Sequence, residues 1–231
     1  MPKKSPSKSP REPREPKAPP PPPPTRDELA VMRVVEQACT SLDLSRRRWV
    51  KLSDSGKAAL SGWANSMQRL AYAETDQPWG LLADCEGVLE GVGARARTSL
   101  GTHRTQLEEA MRGLEAAVGA MRAAVVTLRQ RVDAAAAGAA AGSVAVERAS
   151  QVSGHAERIA RTFEQEIALR RAIAGEALAD PEPGSAGEPA RAERAKLYLS
   201  AWVLGVYVEP DELEELIASG RAFADPNRNV V

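Results

Sequence analysis

The clearest pattern of apolar and polar positions lies in the middle of the chain, where apolar residues recur at alternating spacings of four and three. They are Leu107, Met111, Leu114, Val118, Met121, Val125, Leu128 and Val132. On an α-helix a period of 3.5 residues gives a narrow apolar seam and a left-handed supercoil. Because so narrow a seam leaves an isolated helix poorly covered, we expect the seam to pair within the chain, with a second copy or with another protein.

Other segments repeat apolar residues at helical spacing and predict further amphipathic helices. Before the seam they are Met32, Val35, Cys39, Leu42, Leu60, Trp63, Met67 and Leu70, and after it Val152, Ile159, Phe163, Ile167, Ile173, Leu213, Leu216 and Ile217. Thr25 and Glu28 have the spacing of a capping box, which predicts a helix start. Ser53–Gly56 predicts a break, with Gly56 free to take a positive φ. The predicted fold is all-α, with long helices in an antiparallel bundle or coiled coil.

Changes in composition divide the chain into seven predicted segments. They are a disordered basic, proline-rich tail at 1–25, a helical coiled-coil region at 26–132, an Ala/Gly-rich connector at 133–146, an amphipathic helix at 147–179, a linker at 180–190, a C-terminal helical unit at 191–220 and a tail at 221–231. Eleven of the seventeen prolines lie in the first segment, and proline cannot donate a backbone hydrogen bond. A solvated, extended tail is therefore expected there.

Composition excludes several classes of function. Two cysteines and two histidines are too few for a disulfide framework or a multi-cysteine zinc site. The sequence has no Gly-rich phosphate loop after a strand and no recognisable nucleophile–base motif. No apolar run reaches the roughly 18 residues that span a bilayer, and the N-terminus has no apolar signal-peptide core. The expectation is a non-enzymatic protein without cofactor or metal and without a membrane segment.

The N-terminal tail is basic although the whole chain is neutral. Residues 1–26 carry five more basic than acidic side chains, so the rest of the chain is acidic by the same amount. Ser5 and Ser9 each precede a proline, and both are candidate phosphorylation sites; Ser5 fits the pattern favoured by cyclin-dependent kinases. A phosphate there would offset part of the local positive charge. Nucleic-acid contact through this tail is expected to be weak at most, because no aromatic residue is interleaved with the charges.

Aromatic residues are scarce, at 4% of the chain, yet three of them cluster near its end: Tyr198, Trp202 and Tyr207. Aromatic side chains bury large areas, so this cluster is either the core of the terminal helices or a surface patch for a partner. The sequence leaves both interpretations open.

Two blocks of the sequence resemble a known family. Trp49-Val-Lys-Leu52-Ser-Asp-Ser-Gly56 is similar to a W-x-x-L-N-D-x-G segment, with Ser53 in place of the asparagine. At the other end, the helix that runs from Phe163 through Glu166, Arg170 and Arg171, together with Tyr198-Leu-Ser-Ala-Trp202 and Tyr207-Val-Glu, resembles an aromatic-x-x-E-L-x-L-K-R helix followed by Y-L-S-x-W…Y-V-E. Both patterns are those of the cyclin-dependent kinase 2-interacting protein family.

The resemblance implies a small nuclear adaptor, with the cytoplasm as a second location. Its implied partners are a cyclin-dependent kinase, replication and checkpoint proteins, and an AAA+ ATPase assembly that contains a second small helical protein and acts on replisomes and ribosome precursors. Homo- or hetero-oligomers through the coiled coil are expected. The candidate interaction residues are Trp49, Leu52, the eight seam residues, Phe163, Tyr198, Trp202 and Tyr207. Two alternatives stay open: a generic coiled-coil tether of cytoskeletal or trafficking complexes, and a nucleic-acid binder that uses the basic tail.

Overall fold

A computed structural model describes residues 25–74, 87–138, 143–179, 188–208 and 210–225. Within these ranges the chain forms five α-helices and no strand: α1 (Arg26–Glu74), α2 (Val88–Gly138), α3 (Val144–Leu178), α4 (Glu188–Leu204) and α5 (Pro210–Ala224). The all-α prediction is confirmed for this part of the chain. The predictions for the proline-rich segment, for Ser5 and Ser9 and for the last six residues lie outside it.

The first helix begins where the capping box places it. The backbone N–H of Thr25 donates to Glu28 Oε2 at 2.9 Å, and the N–H of Glu28 donates to Thr25 Oγ1 at 3.3 Å. The two residues therefore satisfy each other's unpaired donors at the helix start.

The predicted break at Ser53–Gly56 is wrong, because α1 runs through it without interruption. Gly56 takes a helical conformation, and among the described glycines only Gly87 and Gly205 have positive φ. A Cβ at Gly56 would collide with the ring of Trp202, so the glycine admits a large side chain from α4. Tertiary packing decides this position, against the local preference of Ser, Asp and Gly for turns.

The three long helices run antiparallel in chain order. The side chain of Leu52 lies against Gly113, and His103 lies against Gly62, so positions that rise along α1 meet positions that fall along α2. Ion pairs give the same direction for α2 and α3: Arg129 with Glu157 at 2.8 Å and Arg171 with Glu115 at 2.7 Å. All eight seam residues are buried in the core that these helices share. The seam therefore closes within the chain.

Four helix boundaries differ from the predicted segments. The second helix continues to Gly138 through residues expected to be a connector, and α3 begins at Val144. Alanine has the highest helix propensity, and Ala135 packs against the core, so the Ala run extends the helix. The helix α4 begins at Glu188, inside the predicted linker, and α5 continues past Gly220 to Ala224. None of the helices in the described ranges combines the length and apolarity needed to cross a membrane.

The last two helices pack on the long ones. Helix α4 lies mainly against α1, and α5 lies against α1 and α3. Trp202 anchors α4 and is only 1% exposed, while Leu213, Leu216 and Ile217 bury one face of α5. Gly205, at φ 56°, makes the sharp turn between the two helices, which a residue with a side chain would adopt only with strain.

Cys39 is a buried core residue, which predicts an unreactive thiol. Burial raises its pKa to about 11; Glu36 adds to this, and Arg221 opposes it. The thiolate is the reactive form, so we expect Cys39 to resist iodoacetamide at pH 8 in the native protein and to react after unfolding in urea. Mass spectrometry of a Cys85→Ser variant measures Cys39 alone. Native modification as fast as that of unfolded protein would contradict the buried position.

Candidate protein-interaction site

The buried guanidinium of Arg170 is the centre of a cluster that joins three helices. Its Cζ lies 4.9 Å from the ring centroid of Trp49, on α1, and 4.8 Å from that of Trp202, on α4. Phe163 meets Trp49 edge-on, with ring centroids 5.0 Å apart. A desolvated cation between two indole rings gains from both ring quadrupoles, so Arg170 holds α3 to both neighbours.

Hydrogen bonds fix the guanidinium in this position. Its Nε donates to Glu166 Oε1 at 2.7 Å, and its Nη1 donates to Ser53 Oγ at 2.5 Å. The side chain of Glu166 is fully buried, and that of Arg170 nearly so. A buried ion pair is tolerated only where further hydrogen bonds satisfy both partners, and this one meets that condition.

The same two residues, Glu166 and Ser53, also bind the C-terminal unit. The backbone N–H of Tyr207 donates to Glu166 Oε2 at 3.2 Å, which fixes the turn after α4. The indole N–H of Trp202 donates to the carbonyl oxygen of Ser53 at 3.2 Å. Polar contacts therefore attach the end of α4 to α1 and the turn after it to α3.

The structure places the predicted interaction residues in three settings. Trp49, Phe163, Trp202 and the eight seam residues are buried, Leu52 and Tyr198 are half-buried, and Tyr207 is 45% exposed. The sequence left open whether the aromatic cluster is core or surface. Trp202 proves to be core, whereas Tyr207 faces outward.

Arg170, Glu166 and Ser53 organise the cluster, although none of them was predicted from the sequence as an interaction residue. All three stand in the blocks that carry the family resemblance, and that was the available signal. Gly56 completes the set by making room for Trp202. The aromatic residues of the cluster are thus held together by the polar and small residues that lie between them.

A second polar cluster ties α5 to α1 through Asp43. Its carboxylate accepts hydrogen bonds from Arg221 at 2.9 Å and from Arg47 at 3.1 Å, and Arg46 lies 3.6 Å away. Desolvation raises the pKa of Asp43, but the hydrogen bonds and charges of Arg221 and Arg47 outweigh it, so the pKa lies below the usual 3.8. The charged form is therefore favoured by folding.

Asp43→Asn is expected to destabilise the native state at pH 7 by about 1–2 kcal/mol. This is less than the loss expected when a fully buried ion pair is broken, because Arg47 is largely exposed. A lowered pKa contributes stability above the unfolded pKa and loses it as the pH falls through the folded one. The difference in the free energy of unfolding between wild type and variant should therefore be constant above pH 5 and shrink below pH 4. Urea unfolding at each pH measures this difference, and a difference that stays constant into strong acid would contradict it.

No group of three or more His, Cys, Asp or Glu side chains in the described ranges is placed to bind a metal ion. A groove of about 780 Å³ lies between the start of α1, the end of α2 and the start of α3. It is lined mostly by small apolar side chains, with Asp27, Glu28 and Arg131 as its charged residues and no His or Cys.

Comparison with known proteins returned no matching family model, no similar curated protein and no similar solved structure.

Proposed function

We propose that this chain is a non-enzymatic adaptor, of the kind that the cyclin-dependent kinase 2-interacting protein family exemplifies, and that it binds other proteins through the outer surface of its helices. The observation that carries the proposal is the convergence of the resembling blocks. Trp49, Ser53 and Gly56 from the first block meet Glu166, Arg170 and Trp202 from the second in a single buried cluster.

This convergence supports the resemblance because the blocks are far apart in sequence. Ser53 and Arg170 are 117 positions apart, and Ser53 and Trp202 are 149 positions apart. Several residues of the two blocks have a physical role in the cluster, since the indole rings hold the cation, the glutamate pairs with it and the glycine admits a ring.

The closed seam changes where partners are expected to bind. Since the eight seam residues are buried between α1, α2 and α3, a partner helix can reach them only if the chain opens. Partners are therefore expected on side chains that the fold leaves outside. The same burial disfavours the alternative of a generic coiled-coil tether, because a tether needs a seam that is free to pair with another chain.

The proposed partners follow from the resemblance. They are a cyclin-dependent kinase, replication and checkpoint proteins, and an AAA+ ATPase assembly with a second small helical protein, linked to replisome and ribosome-precursor remodelling. The proposed location is the nucleus, with the cytoplasm as a second site. The nucleic-acid alternative depends on residues 1–24 and gains nothing from the described residues.

Affinity purification with mass spectrometry tests this proposal. The tagged full-length chain should recover an AAA+ ATPase or replication factors from nuclear extract, relative to a tag-only control. Recovery of motor or membrane-tether components alone would favour the tether instead. If the wild-type chain recovers no protein above the control, the adaptor function itself is wrong.

A further inference from the structure

Apolar side chains are exposed in unusual density at the C-terminal end of α4. Five large ones face solvent within eleven residues, and we call them the outer patch: Leu197, Val203, Leu204, Val206 and Tyr207. Leu204 is 75% exposed, more than any other large hydrophobic residue described. Single exposed apolar residues are ordinary, but large exposed apolar surface on a folded protein is typical of a binding site.

The cluster around Arg170 holds the outer patch in place. Leu197 and Leu204 lie on the side of α4 opposite the buried Ala195 and Trp202, and Val203 is exposed on the flank between the two sides. Val206 and Tyr207 continue the patch into the turn, whose Tyr207 N–H is bonded to Glu166. A surface fixed before binding loses little conformational entropy when a partner arrives.

The charged residues that flank the outer patch in sequence are mainly acidic. From position 193 to 215 the described residues include Glu193, Asp211, Glu212, Glu214 and Glu215, against Arg194 and Lys196. Lys196 is paired with Glu193 at 2.6 Å, and Glu214 with Arg46 at 3.3 Å. Asp211 and Glu212, in the first turn of α5, directly follow the turn that carries Val206 and Tyr207. The described charged residues of α4 and the first half of α5 thus carry more negative than positive charge.

We infer that the outer patch binds an amphipathic helix of another protein, one with large apolar residues on one face and Lys or Arg beside them. The inference rests on the proposed adaptor function and names the class of partner. Charge complementarity to Asp211, Glu212 and Glu215 selects a basic partner. A helix is favoured because the described residues have no strand whose edge could pair with a peptide, whereas α4 offers an apolar ridge.

Two other occupants fit these observations less well. A second copy docking the same patch about a two-fold axis would bring the acidic residues that flank the patch in sequence towards those of the other copy. Residues 1–24 of the chain itself carry the right charge but contain no Leu, Ile, Val, Phe, Tyr or Trp to fill an apolar surface. A separate basic, amphipathic helix satisfies both the charge and the apolar contacts.

Fluorescence anisotropy with designed peptides tests the inference on the full-length chain. The probe is a helical peptide of about 20 residues with Leu at positions i, i+3, i+4 and i+7 and Lys beside them. The control peptide carries Glu in place of each Lys. The Lys peptide should bind at least about tenfold more tightly than the Glu peptide. Leu204→Glu should weaken its binding about tenfold or more, because an anchor is replaced by a charge.

Val126→Glu is the matched control, because Val126 is 46% exposed on α2, which packs against α1 and α3. It should leave peptide binding unchanged, and both variants should keep the wild-type melting temperature within a few degrees. Equal binding of the two peptides, or equal binding to wild type and Leu204→Glu, would overturn the inference. The inference would also be overturned if a peptide of residues 1–24 displaced the Lys peptide. It would be overturned as well if the wild type formed a dimer that the Leu204→Glu substitution dissociates.

The outer-patch inference and the proposed adaptor function are contradicted by different results. If nuclear partners are recovered equally with wild type and Leu204→Glu, the outer patch is not their site, but the adaptor function stands. If wild type recovers no partner, the adaptor function fails regardless of the peptide result.

Discussion

Leu114→Asp combined with Leu128→Asp is expected to unfold the protein. The two leucines are 0% and 1% exposed, in the seam that α2 presents to the other long helices. Each aspartate would bring an unpaired carboxylate into the core at a cost of several kcal/mol, against a total stability of about 5–15 kcal/mol. Far-ultraviolet circular dichroism should therefore show loss of most helix, rather than release of folded single chains.

Val126→Asp on the same helix controls for the helix propensity of aspartate, because Val126 is half exposed. It should lower the free energy of unfolding by less than about 1 kcal/mol. Sedimentation distinguishes the two uses of the seam. If the wild type sediments as an oligomer and the double variant as a single chain with its helical content intact, the seam pairs between chains.

Arg170→Leu is expected to lower the free energy of unfolding by about 3–5 kcal/mol. The substitution removes the cation between Trp49 and Trp202 and leaves the buried carboxylate of Glu166 without its partner. Urea unfolding followed by tryptophan fluorescence measures the change. Arg171→Leu is the matched control, since that neighbouring arginine is largely exposed and should cost less than about 1 kcal/mol.

A double-mutant cycle separates the ion pair from the packing of the arginine. Glu166→Gln in the Arg170→Leu background removes the stranded charge, so the double variant should be more stable than the sum of the single losses implies. Additive losses would show that Arg170 and Glu166 do not act as a pair. Loss of partner recovery is expected with Arg170→Leu as well, because Glu166 and Trp202 position the outer patch.

Much of the helical architecture could be predicted from periodicity and capping. The 4-3 spacing from Leu107 to Val132 identified the buried face of α2, and Thr25 with Glu28 identified the start of α1. The break at Ser53–Gly56 was predicted wrongly because a local pattern cannot reveal that Trp202 needs the space at Gly56. The end of α2 was missed because the Ala/Gly composition after Val132 is compatible with both helix and connector.

The candidate site could be predicted only in part. The sequence pointed to Trp49, Phe163 and Trp202 as residues of interest, but periodicity does not show which helix faces meet. The decisive contacts join positions more than a hundred residues apart, as between Ser53 and Arg170, and a single sequence carries no distance information of that kind. The exposure of Leu204 likewise follows from how Trp202 orients α4.

The central claim is that the outer patch, held by the buried Arg170 cluster, meets another polypeptide. A photo-crosslinking amino acid placed at position 204 of the tagged full-length chain in nuclear extract, with position 126 as the comparison site, tests it directly. We expect crosslinks from position 204 to a basic, amphipathic helix of a different protein, and few from position 126. Crosslinks from position 204 only to this chain itself, or equal yields of foreign protein at both positions, would contradict the claim.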